Sequence, residues 1–173
     1  MSSFTVRRLH ALTSREFGGL CEVLIDCVEG GASVNFMQPM TLAKASDFWR
    51  GVAGSLARGE RALVVAEDEQ GAIIGTAQTI WATPENQPHR ADIAKMLVHR
   101  RARRLGVGAA VLRAAEAAAR EAGRTVLVLD TASDSAERLY ERGGWRRVGT
   151  IPDYALLPEG GPCATAIYYK RLD

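Results

Sequence analysis

Residues 95–123 read KMLVHRRARRLGVGAAVLRAAEAAAREAG, and the interpretation of the whole chain follows from this stretch. A short apolar run ends near Val98, and an arginine- and glycine-rich turn follows at 103–108. Apolar residues then recur at the three- and four-residue spacing of one helix face, which predicts a helix over 107–122. Gly123 is placed to end that helix. The stretch therefore predicts a strand, a tight turn and a helix in succession.

The turn before this helix is suited to bind an anion. Its glycines let the backbone approach a ligand closely, and the free N–H groups of a helix N-terminus carry a partial positive charge. A pyrophosphate fits this description. The site is predicted to comprise Arg103, Arg104, Leu105, Gly106, Val107, Gly108 and Ala109.

Other interpretations of the turn stay open at this point. It lacks the third glycine of a dinucleotide-binding turn and the Gly-Lys-Ser/Thr of a P-loop. A purely structural glycine turn would also let the helix pack on a sheet. A nucleic-acid patch would use the same arginines, although no aromatic residue lies among them for base stacking.

The rest of the chain predicts a single α/β domain, 1–173, because 173 residues suit one domain and strands alternate with helices in the second half. Thr13 and Glu16 have the spacing of a helix capping box, and Gly71 marks a hairpin turn. The predicted fold is one mixed, mostly antiparallel sheet with helices on both faces. Strands are predicted at 4–9, 61–67, 72–81, 90–98, 125–129, 145–149 and 164–171, and helices at 13–29, 41–56, 107–122 and 134–142.

Composition argues against several classes of protein. A net charge of +2 favours neither nucleic acid nor a membrane surface as a partner. The three cysteines, Cys21, Cys27 and Cys163, fit neither a disulfide framework nor a zinc site, and the scattered histidines predict no metal. The N-terminus has no apolar signal segment and no run is long enough to span a membrane, so a cytoplasmic location is expected.

The pattern Arg103-x-x-Gly106-x-Gly108 after a strand resembles the coenzyme-A signature of the GNAT superfamily of N-acetyltransferases. The hairpin at 63–75 is similar to that family's second and third strands, 95–98 to its fourth strand, and 136–145 to its last helix and the strand after it. The resemblance implies the GNAT-like acyl-CoA N-acyltransferase fold. It also implies an enzyme that transfers an acetyl group from acetyl-CoA to an amine without a metal.

A narrower resemblance concerns the acceptor. Residues 30–37, 130–131 and 164–168 are similar to those of the tabtoxin-resistance acetyltransferases, which acetylate a β-lactam amino-acid toxin. This similarity implies a role in toxin or antibiotic resistance.

The family resemblance also implies roles for individual residues. Tyr140 matches the tyrosine that faces the departing sulfur, and Ser133 stands where the family commonly has a cofactor-binding asparagine. The strand edge at Met96, Leu97 and Val98 would hydrogen-bond the pantetheine arm and offer a backbone N–H to the thioester oxygen.

The chemistry of acetyl transfer further calls for a proton acceptor, because an aliphatic amine with a pKa near 10.4 is almost fully protonated at neutral pH. Asp92 and Asp130 are the candidates. Alternation along the strand predicts that Asp92 shares a face with Ala94 and Met96, and Asp130 closes the next strand at the edge where open sheets bind ligands. Asp92 could instead pair with His89, Arg90 or another nearby basic group, and Asp130 could be a strand-end turn or cap residue.

The loop at 30–37 is the predicted acceptor-binding segment. Ser33 and Asn35 are polar groups among apolar ones, a mixture typical of sites for small molecules. The sequence therefore predicts a small amino-acid-like amine, of which a β-lactam amino acid is one case. Three alternatives stay open: Phe36 and Met37 only cover the core, the acceptor is a protein or peptide, or the chain is a non-catalytic acyl-CoA-binding module.

Overall fold

Seven strands form one mixed sheet with helices on both faces in the computed structural model, which describes residues 3–173. The predicted fold class and the predicted order of elements are confirmed. The strands are β1 (Phe4–Leu9), β2 (Arg61–Asp68), β3 (Ile73–Trp81), β4 (Arg90–Val98), β5 (Val126–Thr131), β6 (Arg146–Leu156) and β7 (Pro162–Arg171). The helices are α1 (Ser14–Glu29), α2 (Leu42–Ala57), α3 (Val107–Glu121) and α4 (Asp134–Arg142). The strand order is β1-β2-β3-β4-β5-β7-β6.

Most predicted boundaries lie within two residues of the observed ones. The capping box is present: the Thr13 side chain accepts from the Glu16 N–H, and Glu16 Oε2 accepts from the Thr13 N–H at 2.8 Å. A 3-10 turn at Arg100–Ala102 is an addition that the sequence analysis did not predict. No helix among residues 3–173 is both long enough and apolar enough to span a membrane.

Strand β6 is longer than predicted. Its predicted end was residue 149, but the strand continues to Leu156 through register shifts at Arg147/Gly149 and Ile151/Ala155. The second irregularity contains Pro152. An edge strand tolerates a proline there because the N–H groups on its outer side have no partner strand. The proline and Gly149 resembled a strand end in the sequence, whereas they mark bulges.

Two apolar clusters hold the helices on the sheet. One lies under α3 and α4, and the other lies under α1 and α2. Gly75 in β3 is required for the first cluster, because a Cβ there would lie 2.6 Å from the Val107 Cγ1 at the start of α3. This contact brings the N-terminus of α3 directly onto the centre of the sheet.

The sheet opens between its two parallel strands. Strand β4 pairs with β5 only where Arg90–Asp92 meets Val126–Val128, and beyond these residues no pairing joins them. Strand β4 nevertheless stays paired with β3 as far as Val98. We call the gap between residues 93–98 of β4 and 129–131 of β5 the split. It leaves one backbone edge of β4 free to bind a ligand.

A bulge at Lys95 changes the direction of the side chains that follow. Gln78 pairs with Ala94 and Thr76 pairs with Leu97, so β4 contains one extra residue between these two pairs. Met96 consequently packs on the α3 side, against the same cluster as Ala91 and Ile93. The prediction that Asp92, Ala94 and Met96 share a face is therefore wrong for Met96, because strand alternation is interrupted at the bulge.

Candidate active site

The glycine turn has the geometry of an anion site. Gly106 is the N-cap of α3 with φ 83°, and no side chain caps the helix. Arg104 also has a positive φ, 63°. A Cβ built on Gly106 would meet no atom within 4 Å, so the turn faces open space. The first N–H groups of α3, at Val107, Gly108 and Ala109, are thus available to an anion at the helix N-terminus.

The arginines around the turn fall into two pairs. Arg100 bonds to Asp26 and Arg101 to Asp68, each at 2.9 Å, so both positive charges are already matched. Arg103 and Arg104 are exposed and form no ion pair with any residue that the structure describes. The free guanidinium groups, together with the uncapped helix, fit the charge of a pyrophosphate. No group of three His, Cys, Asp or Glu side chains within residues 3–173 could hold a metal ion.

Asp26 fixes the start of this segment. Its carboxylate accepts from the Arg100 N–H at 2.8 Å and from the Arg100 Nε at 2.9 Å. Burial alone would raise the pKa of Asp26, but these bonds and the charge of His99 hold it below its ordinary value. Asp26 therefore stays charged and anchors the turn that precedes residues 103–108.

The free edge of β4 lies beside this turn. The side chains of Met96 and Val98 pack on the α3 side, whereas Leu97 is buried on the α1 side. A Cβ on Gly108 would lie 3.6 Å from Val98 Cγ2 and 3.3 Å from Leu139 Cδ2. The end of β4, the start of α3 and helix α4 thus converge within contact distance, as a pantetheine-binding edge requires.

Tyr140 comes from α4 and is almost completely buried, with 4% of its surface exposed. Its ring packs on Trp145 and Tyr168, with centroids 5.8 and 6.0 Å away. Its hydroxyl donates only to the weak acceptor Met96 Sδ, at 3.9 Å. Burial, helped by the negative charge of Asp130, raises the pKa of Tyr140. Tyr140 is therefore a protonated donor whose hydrogen bond is available to a stronger acceptor in the split.

The two aspartates share a face but differ in their partners. Their strand neighbours Ala91, Ile93, Leu127 and Leu129 all belong to the α3-side cluster, so Asp92 and Asp130 point to the opposite side. Asp92 is bound to Arg90 Nη1 at 2.5 Å, which is the ion pair that the sequence left open. Asp130 is exposed at the end of β5 and accepts from Thr165 Oγ1 at 2.8 Å. Of the two, Asp130 has no basic partner within ion-pair distance among the described residues.

The loop at 30–37 lies on the same side as these aspartates. Ser33 Oγ is 3.5 Å from Cys163 Sγ on β7, two residues before the Thr165 that holds Asp130. The Gln38 N–H donates to the Pro158 carbonyl at 2.9 Å. The loop is therefore tied to the β6–β7 hairpin. Ser33 is half-buried in this arrangement, whereas Asn35 is exposed, with φ 74°.

An aromatic pair connects the other end of the loop to β4. Phe36 packs edge-on against Phe48 of α2, with ring centroids 5.3 Å apart. The Lys95 ammonium lies 5.8 Å above the same Phe48 ring. Phe36 thus does cover part of the core, while Met37 is 40% exposed. We call this side of the split the acceptor face; its residues are Phe36, Phe48, Asp92, Lys95, Asp130 and Thr165.

Two further predictions concern residues at the margin of the site. Ser133 Oγ accepts from the Ala136 N–H at 3.4 Å and so caps α4, a role that occupies the oxygen expected to contact the cofactor. Cys21 and Cys27 are buried and Cys163 is half-buried, and all three are free thiols. Burial raises the pKa of Cys27 to about 11, so this thiol is no nucleophile at neutral pH.

Lys95 is a site residue that sequence reasoning missed. Its position in an otherwise apolar strand segment was visible, but the bulge that turns it toward Phe48 was not. A lysine in a strand usually lies on a solvent face, so the sequence carried no signal for a half-buried cation.

Comparison with known proteins identifies a family and a shared fold. The profile of the acetyltransferase (GNAT) family matches residues 33–145. An N-acetyltransferase from Staphylococcus aureus Mu50 has a TM-score of 0.81 at 16% identity, covering 99% of this chain and 100% of that one. A ribosomal-protein-alanine N-acetyltransferase from Brucella melitensis has a TM-score of 0.78 at 23% identity. The match covers 97% of this chain and 99% of that one. A phosphinothricin acetyltransferase from Sinorhizobium meliloti, solved in complex with acetyl-CoA, has a TM-score of 0.81 at 20% identity. The match covers 98% of this chain and 88% of that one.

Proposed function

This chain belongs to the acetyltransferase (GNAT) family, and we propose that it transfers the acetyl group of acetyl-CoA to the amine of a small, amino-acid-like molecule. The family establishes an acetyltransferase that uses acetyl-CoA. The size and chemical class of the acceptor are the proposed part.

The observation that supports a small acceptor is the pair of contacts that the loop at 30–37 makes on two sides of the acceptor face. The loop bridges it from the Ser33–Cys163 contact on one side to the Phe36–Phe48 contact on the other. A peptide needs an open groove along which its chain can run, whereas a small ligand is held by a concave, mostly apolar pocket with a few polar groups. The ties of the loop to the β6–β7 hairpin favour the second case.

The charge on this face supports an amine that arrives as an ammonium ion. Asp92 and Asp130 both point into it, and Asp130 has no ion-pair partner within the described chain. A carboxylate there attracts the protonated amine and can then accept a proton from it. We assign that step to Asp130, since Arg90 occupies one oxygen of Asp92.

The remaining steps follow from the residues on the α3 side of the split. Acetyl-CoA supplies the activated acetyl group as a thioester. The N-terminus of α3, with Arg103 and Arg104, would hold the pyrophosphate. A backbone N–H on the free edge of β4, near Leu97 or Val98, would donate to the oxygen that gains charge. Tyr140, still protonated, would donate a hydrogen bond to the departing sulfur.

The names of the structural neighbours divide between acceptor classes. One is named for phosphinothricin and another for a ribosomal-protein alanine. At 20% and 23% identity they share the fold with this chain, so the choice between them rests on the contacts of the loop at 30–37. A role in resistance to a β-lactam amino-acid toxin would be one outcome of a small-molecule acceptor.

A panel assay tests the acceptor class. Coenzyme-A release is measured with the protein amino acids, amine antibiotics, a β-lactam amino acid and N-terminal peptides. The proposal expects the highest kcat/KM within the amino-acid-like group. A preference for peptides would overturn it.

The loop is tested with the double variant Ser33→Ala/Asn35→Ala. Acceptor KM should rise about tenfold, the effect of losing one hydrogen bond, while acetyl-CoA affinity holds. Tm should fall only slightly, because alanine tolerates the φ of 74° at position 35 less well than asparagine does. Asn86→Ala, in the exposed turn between β3 and β4, is the control and should leave acceptor KM, acetyl-CoA affinity and Tm unchanged. A lower Tm in the double variant with an unchanged acceptor KM would mean that the loop is structural only.

A further inference from the structure

Lys95 occupies an unusual backbone position at the split. It is the extra residue of the β4 bulge, and its φ is 49°, in the left-handed region. A residue with a Cβ is strained in this conformation, and glycine would avoid the strain. The bulge directs this one side chain to the acceptor face, where the pairing of β4 with β5 has ended.

The ammonium group of Lys95 has no anionic partner. No carboxylate lies within 4.0 Å of it and no hydrogen bond is formed by it within the part of the chain that the structure describes, although the side chain is half-buried. The two other lysines differ. Lys170 Nζ donates to Glu116 Oε2 at 2.8 Å, and Lys44 Nζ donates to the Pro39 carbonyl at 2.9 Å.

The surroundings of Lys95 are electrostatically unbalanced. Burial lowers its pKa, Asp130 opposes this shift, and the positive charge of Arg61 adds to it. The Phe48 ring offers only a weak cation–π contact at 5.8 Å. A desolvated ammonium without an anion is unfavourable, so an anion that entered this position would be bound strongly.

We propose that Lys95 binds the carboxylate of the acceptor, so that the enzyme selects amines that also carry an acidic group. Lys95 and Asp130 are close enough to interact electrostatically but form no ion pair with each other. An α-amino acid has an ammonium and a carboxylate on one carbon, and these two charges complement the carboxylate of Asp130 and the ammonium of Lys95. This inference rests on the proposed function and narrows its substrate class to zwitterions.

The test compares two acceptors that differ only in the acidic group. From the protein amino acids, the one turned over fastest is assayed beside its α-carboxamide. The wild-type enzyme should prefer the acid by at least tenfold in kcat/KM. Lys95→Met keeps the length of the side chain and removes its charge. It should lower kcat/KM for the acid about 10- to 100-fold, mainly through KM, since a hydrogen bond to a charged group contributes about 1.5–3 kcal/mol.

The carboxamide and three controls isolate this effect. Turnover of the carboxamide should change less than about threefold in Lys95→Met, and acetyl-CoA affinity and Tm should hold, because no contact of Lys95 is lost except that with Phe48. Lys95→Arg should recover part of the preference for the acid. Arg113→Met removes a positive charge from the exposed face of α3 and should leave the acid-to-amide ratio as in the wild type.

Each contrary result has a distinct meaning. If Lys95→Met lowers kcat/KM equally for the acid and the carboxamide, or leaves the ratio of the two kcat/KM values unchanged, Lys95 does not have the proposed role. The proposed function would stand in either case. A wild-type enzyme that prefers the carboxamide would likewise overturn the role of Lys95 and leave the proposed function intact. A preference for peptides in the panel would overturn the proposed function and this inference together.

Discussion

At the scale of single residues, the site depends on groups whose usual partners are missing or weak. Tyr140 donates only to a thioether sulfur, and Asp130 accepts only from a threonine hydroxyl. Each contrasts with a similar residue nearby that is fully engaged: Tyr168 bonds to Glu137 Oε2 at 2.5 Å, and Asp92 bonds to Arg90. These contrasts supply matched pairs of variants.

Tyr140→Phe should lower kcat while leaving KM for acetyl-CoA about the same, because the hydroxyl acts on the sulfur only as the bond breaks. Tm should change little, since the variant keeps the packed ring and loses one weak bond. Tyr168→Phe is the control: it loses a strong bond to Glu137 and should lower Tm while kcat holds. Steady-state kinetics and thermal unfolding check both. An unchanged kcat in Tyr140→Phe would leave Tyr140 a packing role alone.

The two aspartates should also differ when each is replaced by asparagine. Asp130→Asn should lower kcat by about 10²- to 10⁴-fold, the usual contribution of a general base, while the Thr165 hydroxyl keeps an acceptor. Asp92→Asn should lower kcat by less than about tenfold, because Arg90 already occupies that carboxylate. Single-turnover rates measure both. The reverse ranking would assign the proton acceptor to Asp92.

At the scale of elements, the ends of helices carry both function and stability. The N-terminus of α3 has no side-chain cap and faces open space, whereas that of α1 is closed by a full capping box. An uncapped helix end is left free for a ligand, and a capped one stabilises the fold. The two ends therefore predict different consequences of substitution.

Gly106→Ala should weaken acetyl-CoA binding at least tenfold, because the added methyl group projects into the space where the ligand lies. Gly123→Ala is the matched control at the other end of α3: its φ of 71° is similar to the 83° at Gly106, and neither Cβ would meet an atom within 4 Å. Both variants should lose about 1–2 kcal/mol of stability from backbone strain. Calorimetry should show lost affinity for Gly106→Ala alone. Equal affinities in the two variants would contradict a cofactor turn at this position.

Glu16→Gln keeps the capping box but removes a charge that bonds to Arg7 Nη2 at 2.5 Å. Burial would raise the pKa of Glu16, but the Thr13 N–H and Arg7 outweigh burial and hold the pKa below its ordinary 4.5. The stabilisation is therefore complete above the unfolded-state pKa and disappears as the pH falls through the lower folded-state value.

Thermal unfolding across pH measures this contribution. Tm of Glu16→Gln should lie about 2–4 °C below the wild type at pH 7, as a loss of about 1 kcal/mol implies, and the difference should shrink toward zero in acid. Glu69→Gln, on the exposed hairpin turn, should show no such dependence. A pH-independent difference would mean that packing, and not charge, stabilises the start of α1.

At the scale of the whole molecule, the split joins two faces with separate tasks. Tyr140, Met96 and the start of α3 lie on one face of the sheet, and the acceptor face lies on the other. A continuous sheet would separate them. Strands β4 and β5 stop pairing after Asp92, and through this opening the proposed reaction would bring an amine on one face to a thioester on the other.

Acetyl-CoA should therefore slow amide exchange along the split and nowhere else to the same extent. Peptides covering 94–109 should gain protection of several-fold, since the free edge of β4 and the N–H groups of α3 acquire partners. Peptides from Phe4–Leu9 and Arg61–Asp68 already form a paired region of the sheet and serve as the internal control. Hydrogen exchange with mass spectrometry measures both regions. Uniform protection would indicate general stabilisation by ligand binding instead.

Local sequence patterns were enough to predict most of the elements and the glycine turn before α3. The capping box at Thr13, the apolar stripe of α3 and the glycines at 106 and 108 act within a few residues of one another, so local spacing was enough to predict them. Tyr140 was predicted from the family resemblance and Asp130 from its place at the end of its strand, and their roles stay predictions.

The composition of the acceptor face depends on strand pairing and long-range packing. The extra residue at Lys95 depends on which residues of β3 lie opposite β4, and it reverses the side of Met96. The contact of Ser33 with Cys163 joins residues 130 positions apart. Local periodicity carries no information about a partner strand's register or about contacts over such separations, because both are set by packing of the whole sheet. The unpartnered charge of Lys95 was visible only after the strands were paired.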